Sequence, residues 1–366
     1  MELNINQITL SWLNSVSCIS NSMIEKLIDY FGSLEVLWDN FESETSNISI
    51  LKPEIKTRLI EIKGEFEYNL IKNLNENNAK IITSFDYDYP KQLHNINDAP
   101  YILYYKGDIS SASELSIAVI GSRKATSYGK WAAEKFTREL SNLGVVIVSG
   151  LASGIDSIAH RTAIECQTKT IGVIGSGIDI VYPKKNEELY KQVVEKGGCI
   201  LSEFPFGMQP MPYNFPVRNR IISGLSRGVL VIEAQEKSGT LITAGHAANQ
   251  GREIFAVPGN IDSIFSKGTN SLIKDGAKIT SSVEDIVEEI IELREKVKHK
   301  KNTIEYNNLC EDELKILNCL LYGSKTINEI NIESELETFT TVSLITFLEM
   351  KGYIKQIPGN KFILNI

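Results

Sequence analysis

The chain has no apolar run near the roughly 18 to 20 residues that a membrane helix requires. Its first ten residues, Met1 to Leu10, lack the basic and apolar stretches of a secretory signal. A cytoplasmic protein without membrane insertion is the simplest expectation. Cysteine is scarce: Cys18, Cys166, Cys199, Cys310 and Cys319 are odd in number, scattered, and never spaced C-x-x-C. That argues against a disulfide framework and a structural zinc site, so neutral thiols and no metal are expected. Excess positive charge is missing too. The net charge of −8 and pI near 5.3 argue against nucleic-acid binding over the whole surface, though a locally basic groove stays compatible. The P-loop pattern G-x-x-x-x-G-K-[ST] is absent. Gly121-Ser122-Arg123, after the first strand of the central region, does not match G-x-G-x-x-G, and Gly175-Ser176-Gly177 lacks its third glycine. NTPase and redox readings therefore fall, and no cofactor is expected. Catalytic residues are not visible either: His160 and His246 have no partnered nucleophile or triad carboxylate, so both read as structural histidines.

What is present is an ordinary globular make-up, 42% hydrophobic and 23% charged, long enough for two or three domains. Residues 1 to 75 show helical spacing in ITLSWLNSV, MIEKLIDYFGSLEVLW and IKTRLIEI, punctuated by Gly32 and Pro53. They read as a helical module resembling SAM or helix-hairpin-helix folds, although SVSCISNS has no glycine turn. Two aromatic-rich runs over 79–108 read as strands extending the edge of the next domain. From Ser116 a strand–turn–helix pattern repeats, with apolar runs IAVIG, VVIVSG, TIGVIG, CILSE, GVLVIE and EIFAVPG. Helical stretches separate them, which predicts an α/β domain over 79–297 built on a doubly wound, mainly parallel sheet. Residues 284 to 301 read as one closing helix, acidic then basic, leading into a linker over 298–308. Three amphipathic helices and a hairpin across 309–366 predict a winged helix. Its candidate recognition helix, Thr340 to Lys351, has no arginine and one lysine, so a protein contact is as good a reading as DNA.

Ligands of doubly wound sheets bind beyond the carboxyl ends of the strands. The loops there are rich in glycine and hydroxyls: Gly121 to Arg123, Gly150 to Asp156, Gly175 to Asp179, and Lys237 to Thr240. Their backbone N–H groups suit a phosphate-bearing ligand. FPVRNRIISGL, Phe215 to Leu225, adds an aromatic, two arginines and an asparagine. Its helix is predicted to begin near Pro216 or Val217, with Arg218, Asn219 and Arg220 in the first turn. Cations there oppose the helix dipole, which an anionic ligand would relieve. Pairing with Glu203 or Glu233 is the alternative, and one arginine can serve each purpose. Asp156 is placed to cap the helix that follows it.

The motifs GSRKATSYG, SGLASGIDSIAH, GSGIDIVYPKKN, SEFPFG, FPVRNRIISGL, EAQEKSGTLITA and AVPGN with SKGTNSLIKDGA occur in order over about residues 80 to 280. Together they resemble the DNA-processing protein A (DprA, also called Smf) family. The resemblance implies a Rossmann-like domain that binds single-stranded DNA without known catalysis and commonly forms a homodimer. The family's role is to protect incoming strands in natural transformation and help load the RecA recombinase. By that likeness the DNA site comprises Gly121, Ser122, Arg123, Gly150, Ser153, Gly154, Asp156, Phe215, Arg218, Asn219 and Arg220, with Ser238, Gly239 and Thr240 lining the same pocket. The chain departs from the pattern at Met211, Pro212 and Tyr213, where some relatives carry a basic residue. Physically, Phe215 would stack a base while Arg123, Arg218 and Arg220 approach phosphates. Two rivals stand beside this reading. A nucleoside-monophosphate hydrolase would resemble its relatives in PGGxGTxxE, where this chain has EAQEKSGTLITA. A non-catalytic adaptor would act through its end domains.

Overall fold

A computed structural model of the chain describes residues 2–16, 18–302 and 309–365. Nine strands make one sheet: β1 Lys80–Thr83, β2 Ile102–Gly107, β3 Ser116–Ile120, β4 Val146–Ser149, β5 Thr170–Val173, β6 Cys199–Ser202, β7 Gly228–Val231, β8 Glu253–Ala256 and β9 Lys278–Ile279. Their spatial order is β1-β2-β6-β5-β4-β3-β7-β8-β9. From β6 to β9 every pairing is parallel, while β1 and β2 join antiparallel at the β6 edge. The runs over 79–108 are thus an edge extension, as expected. The two-residue strand β9 escaped the sequence reading because it is too short for periodicity to register.

Strands β3 to β7 are buried along their whole length. Alternate side chains feed the sheet's two faces. Ala118, Val148, Ile171 and Val229 pack with Ile221, Leu225 and Ala247 of helices Asn214–Leu225 and Gly239–Asn249. Ile117, Val119, Ile147 and Leu230 pack with Phe136, Leu140, Ile155 and Ala159 of helices Ser127–Asn142 and Ile155–Glu165. The strand order turns back beside β3: successive crossovers run outward to β4, β5 and β6, then return to β7 on β3's other side. Such a reversal leaves a crevice at the carboxyl ends of β3 and β7.

Helices Ile5–Asn14, Asn21–Phe31, Leu34–Glu44 and Pro53–Glu76 form the N-terminal region. Gly32, in the left-handed region at φ 80°, separates the second from the third. The fourth extends past the expected IKTRLIEI because Leu70 and Leu74 continue its buried side. Trp12, Leu27, Leu37, Phe41 and Leu59 share one core with Ile81, Tyr104, Ile178 and Tyr190 of the sheet domain, so these helices pack directly onto the sheet's β1–β2 edge.

The predicted single helix over 284–301 is instead two, Glu284–Glu289 and Ile291–Asn302, broken at Ile290 in an extended conformation. The break keeps Ile286, Ile290, Leu293 and Val297 buried against one core. Residues 298–302, placed in the expected linker, continue that helix; 303–308 lie outside the described residues. The C-terminal region contains helix Glu311–Cys319, strand β10 Lys325–Thr326, helices Ile327–Ser334 and Thr338–Met350, and hairpin β11 Ile354–Ile357 and β12 Lys361–Leu364. β10 pairs with β12, a contact the sequence reading missed. Ile316, Leu317, Ile330, Ile345, Leu348 and Phe362 make its core. The Asn142 amide donates to the Tyr322 carbonyl at 3.1 Å, bringing this region against helix Ser127–Asn142.

Candidate nucleic-acid interface

The crevice at the strand-order reversal holds a cleft of about 470 Å³. Gly121, Ser122 and Arg123 enter it from the loop after β3, Asp156 from the first turn of helix Ile155–Glu165, and Ser238, Gly239 and Thr240 from the start of helix Gly239–Asn249. Phe215, Arg218 and Asn219 form its remaining wall. A narrower recess continues past Phe215 and Arg123, with Gly150 and Ser153 on its side. Gly154 stands behind Ser122. A Cβ there would meet the Ser122 carbonyl at 2.2 Å, and its φ of +82° favours glycine.

The wall is built by helix Asn214–Leu225, which begins two residues earlier than the sequence predicts. Pro216 falls in its first turn, where a missing N–H costs little, so the proline does not mark the start. Asn214 anchors that end, its amide donating to the carbonyls of Gly175 at 3.0 Å and Gln209 at 3.2 Å. Arg218, Asn219 and Arg220 consequently lie in the second turn, where the argument from unpaired first-turn N–H groups does not apply.

The three arginines have different surroundings. Arg123 is exposed, its guanidinium 5.1 Å from the centre of the half-buried Phe215 ring. Arg218 is only 4% exposed and donates to the carbonyls of Gly150, at 3.0 Å, and Val173. Its Nε donates to the Asn219 side chain at 3.2 Å, and Asn219 in turn donates to the Gly239 carbonyl. Burial pulls the Arg218 pKa down to about 10, with Asp156 opposing, so the group stays charged at neutral pH. Arg220 does not reach the cleft. It is 5% exposed, holds Glu203 through two bonds at 2.8 and 2.6 Å, and pairs with Asp98 at 3.2 Å. Of the two carboxylates offered by sequence, Glu203 is its partner. Glu233 instead accepts from the Thr126 N–H and hydroxyl at the start of helix Ser127–Asn142.

Asp156 does not cap its helix; Gly154 occupies the cap position. Its carboxylate accepts the Gly150 N–H at 3.1 Å, fixing the loop from within. Burial raises the Asp156 pKa, with Arg218 acting against it. A Cβ at Gly150 would stand 2.7 Å from that carboxylate and 2.8 Å from the Arg218 guanidinium, so only glycine lets the loop pass between them. The next residue, Leu151, has φ +52°, an uncommon conformation for a branched residue. The Asn186 amide holds it by donating to its carbonyl at 2.9 Å. Beneath lies His160, buried and 2.7 Å from the Thr170 hydroxyl. Burial lowers its pKa to about 3, which keeps it neutral. His246 lies 3.2 Å from the Pro216 carbonyl, a contact between helices.

Sequence reading passed over several residues of the site. Lys124 and Gln235 line the cleft, and their only signal was adjacency to the glycine turns. Tyr182 lies beside Phe215, ring centres 5.7 Å apart, and is 43% exposed. Nothing in the sequence brings positions 182 and 215 together. The assembled site has one exposed arginine, a lysine, two adjacent aromatics and glycine-lined loops over a buried, charged Arg218. Such a surface suits a flexible polyanion with flat bases.

Comparison with known proteins agrees with the motifs. Residues 80–291 match the family model of DNA recombination-mediator protein A. The chain is 42% identical to the protein Smf of Escherichia coli over 217 residues, 59% of this chain and 58% of that one. It is 46% identical to the DNA processing protein DprA of Bacillus subtilis over 205 residues, 56% of this chain and 69% of that one. It thus spans little more than half the length of the Escherichia coli relative. The X-ray structure of DprA from Streptococcus pneumoniae superposes with a TM-score of 0.67 at 36% identity, covering 79% of this chain and 99% of that one. DNA processing protein A from Helicobacter pylori, whose structure addresses a single-stranded DNA binding mode, superposes with a TM-score of 0.53 at 30% identity. The match covers 58% of this chain and 96% of that one. Motif order, sheet topology and these matches agree: the chain belongs to the DNA recombination-mediator protein A family.

Proposed function

We propose that the cleft binds single-stranded DNA and that the protein is a non-catalytic recombination mediator. On this reading it protects incoming strands, helps load RecA recombinase during natural transformation and works as a homodimer. The observation that carries the binding is the pairing of exposed Arg123 with half-buried Phe215 at the mouth of the cleft. A base stacked on such a ring contributes about 1–3 kcal/mol, and an adjacent guanidinium holds the backbone phosphate. Arg218 contributes positive potential from below and keeps the two loops in place. Lys124 replaces Arg220 as the further cation lining the cleft. Family membership supports the recombination role, and the single-strand work on the Helicobacter pylori relative supports the choice of ligand.

A mobility-shift comparison tests the proposal, using the full chain with single- and double-stranded DNA of one sequence. The expected result is preference for the single strand and a several-fold or greater loss in Phe215→Ala. Equal binding of both forms, or undiminished affinity in a folded Phe215→Ala variant, overturns it. Release of free base from nucleoside monophosphates would overturn the non-catalytic part.

A further inference from the structure

Helix Ser127–Asn142 begins directly after the cleft loop that carries Arg123 and Lys124. Its exposed side presents Tyr128, Trp131, Lys135 and Arg138, spaced i, i+3, i+7 and i+10, so all four share one face. Tyr128 is 45% and Trp131 56% exposed, with ring centres 5.9 Å apart. Lys135 Nζ lies 5.6 Å from the indole centre. Trp131 and Lys135 also line a groove of about 340 Å³ against the C-terminal region, whose Lys325 and Lys361 face them. An indole left in water beside lysines has no role in the core. Large aromatics interleaved with cations are what a single strand uses for stacking and charge neutralisation.

We propose that this face is a second single-strand track, carrying nucleotides out of the cleft toward the groove at the C-terminal region. The proposal rests on the single-strand reading of the cleft. Continuity supplies the path: Lys124 lines the cleft and Tyr128 opens the helix that bears Trp131. Acidic side chains also border the face. Arg138 is paired with Glu165 at 3.2 Å and Lys325 with Glu333. Exposed pairs of the first kind contribute about 0–1 kcal/mol, which an incoming phosphate readily replaces. Glu134, Glu139 and Glu329 line the groove as well, beside Glu333. They and the paired carboxylates restrict the strand to the aromatic side of the groove.

The test is a length series of oligo-dT with the full chain, comparing parent, Trp131→Ala and Lys135→Gln. An oligonucleotide of about 6 residues fills the cleft alone, whereas one of about 20 also reaches the helix. The expected outcome is equal binding of the short ligand by all three proteins, and several-fold weaker binding of the long one by both variants. Stacking on Trp131 also quenches its emission with the long ligand only. In Trp131→Phe, which retains Trp12 and Trp38, that quench disappears. If the variants bind the long ligand as the parent does and emission is unchanged, the track is wrong and the face belongs to a protein partner. If the short ligand fails to bind the parent while the long one still quenches Trp131, the cleft reading fails and the helix face is a single-strand site of its own, not a track out of the cleft. No binding at either length sinks both.

Discussion

Arg218 and Arg220 lie two residues apart in FPVRNR, yet they belong to different parts of the molecule. The helix turns about 200° between them, so one guanidinium points into the cleft floor and the other into Glu203 and Asp98. Removing one member of a buried ion pair leaves the other unpaired, at a cost of about 3–5 kcal/mol. Arg220→Ala should therefore lower chemical-denaturation stability by about that amount, while the folded protein keeps its affinity for short oligo-dT. A loss of affinity at unchanged stability would place Arg220 at the DNA. The sequence allowed one arginine to serve an anionic ligand and the other to pair with a carboxylate, but it did not say which. That depends on where the helix starts, and Pro216 suggested a start two residues too late. Phe215, Arg123 and the glycine loops were legible because their residue types are poorly explained by a core. Tyr182 and Lys124 were not, because their relation to Phe215 and Arg123 exists only after folding.

The strands and helices of the α/β domain were readable because each strand is a short β-branched run bounded by glycine. The failures occurred where that signal thins, at the two-residue strands Lys278–Ile279 and Lys325–Thr326 and at the break in the closing helix. Packing between elements was invisible as well. Glu139 of helix Ser127–Asn142 sits half-buried where that helix meets the C-terminal region, near Lys135, Lys325, Glu284 and Glu333. Burial raises its carboxyl from the ordinary 4.5 to about 7. The fold thus penalises the charged form. That penalty is absent below pH 4.5, where folded and unfolded states are both protonated, grows as pH rises, and is complete above 7. Glu139→Gln should be more stable than the parent at pH 8, with the gap closing as pH falls toward 4.5. Denaturation midpoints at several pH values decide this, and a gap that widens on acidification contradicts the assignment.

Across the whole molecule, a strand order that reverses beside β3 gives an acidic protein one locally basic crevice. With 46 acidic and 38 basic side chains, the overall field repels DNA. On the proposed reading, binding comes from short-range cations and stacking surfaces gathered at the carboxyl ends of β3 and β7 and along the helix that follows β3. The parallel sheet and its carboxyl-end loops were foreseeable from the alternation of strands and helices. The joining of the N-terminal helices to the sheet through Tyr104 and Tyr190 was not, since amphipathic periodicity shows that a face is buried without showing against what. The most direct test of the cleft is the salt dependence of its affinity for an oligo-dT of about 6 nucleotides. Each phosphate neutralised on a single strand contributes about −0.7 to the log–log slope. With Arg123 and Lys124 exposed at the cleft, the parent should show a slope of about −1.4, and Arg123→Ala one shallower by about 0.7. A slope near zero, or the same slope and affinity in Arg123→Ala, would contradict the account.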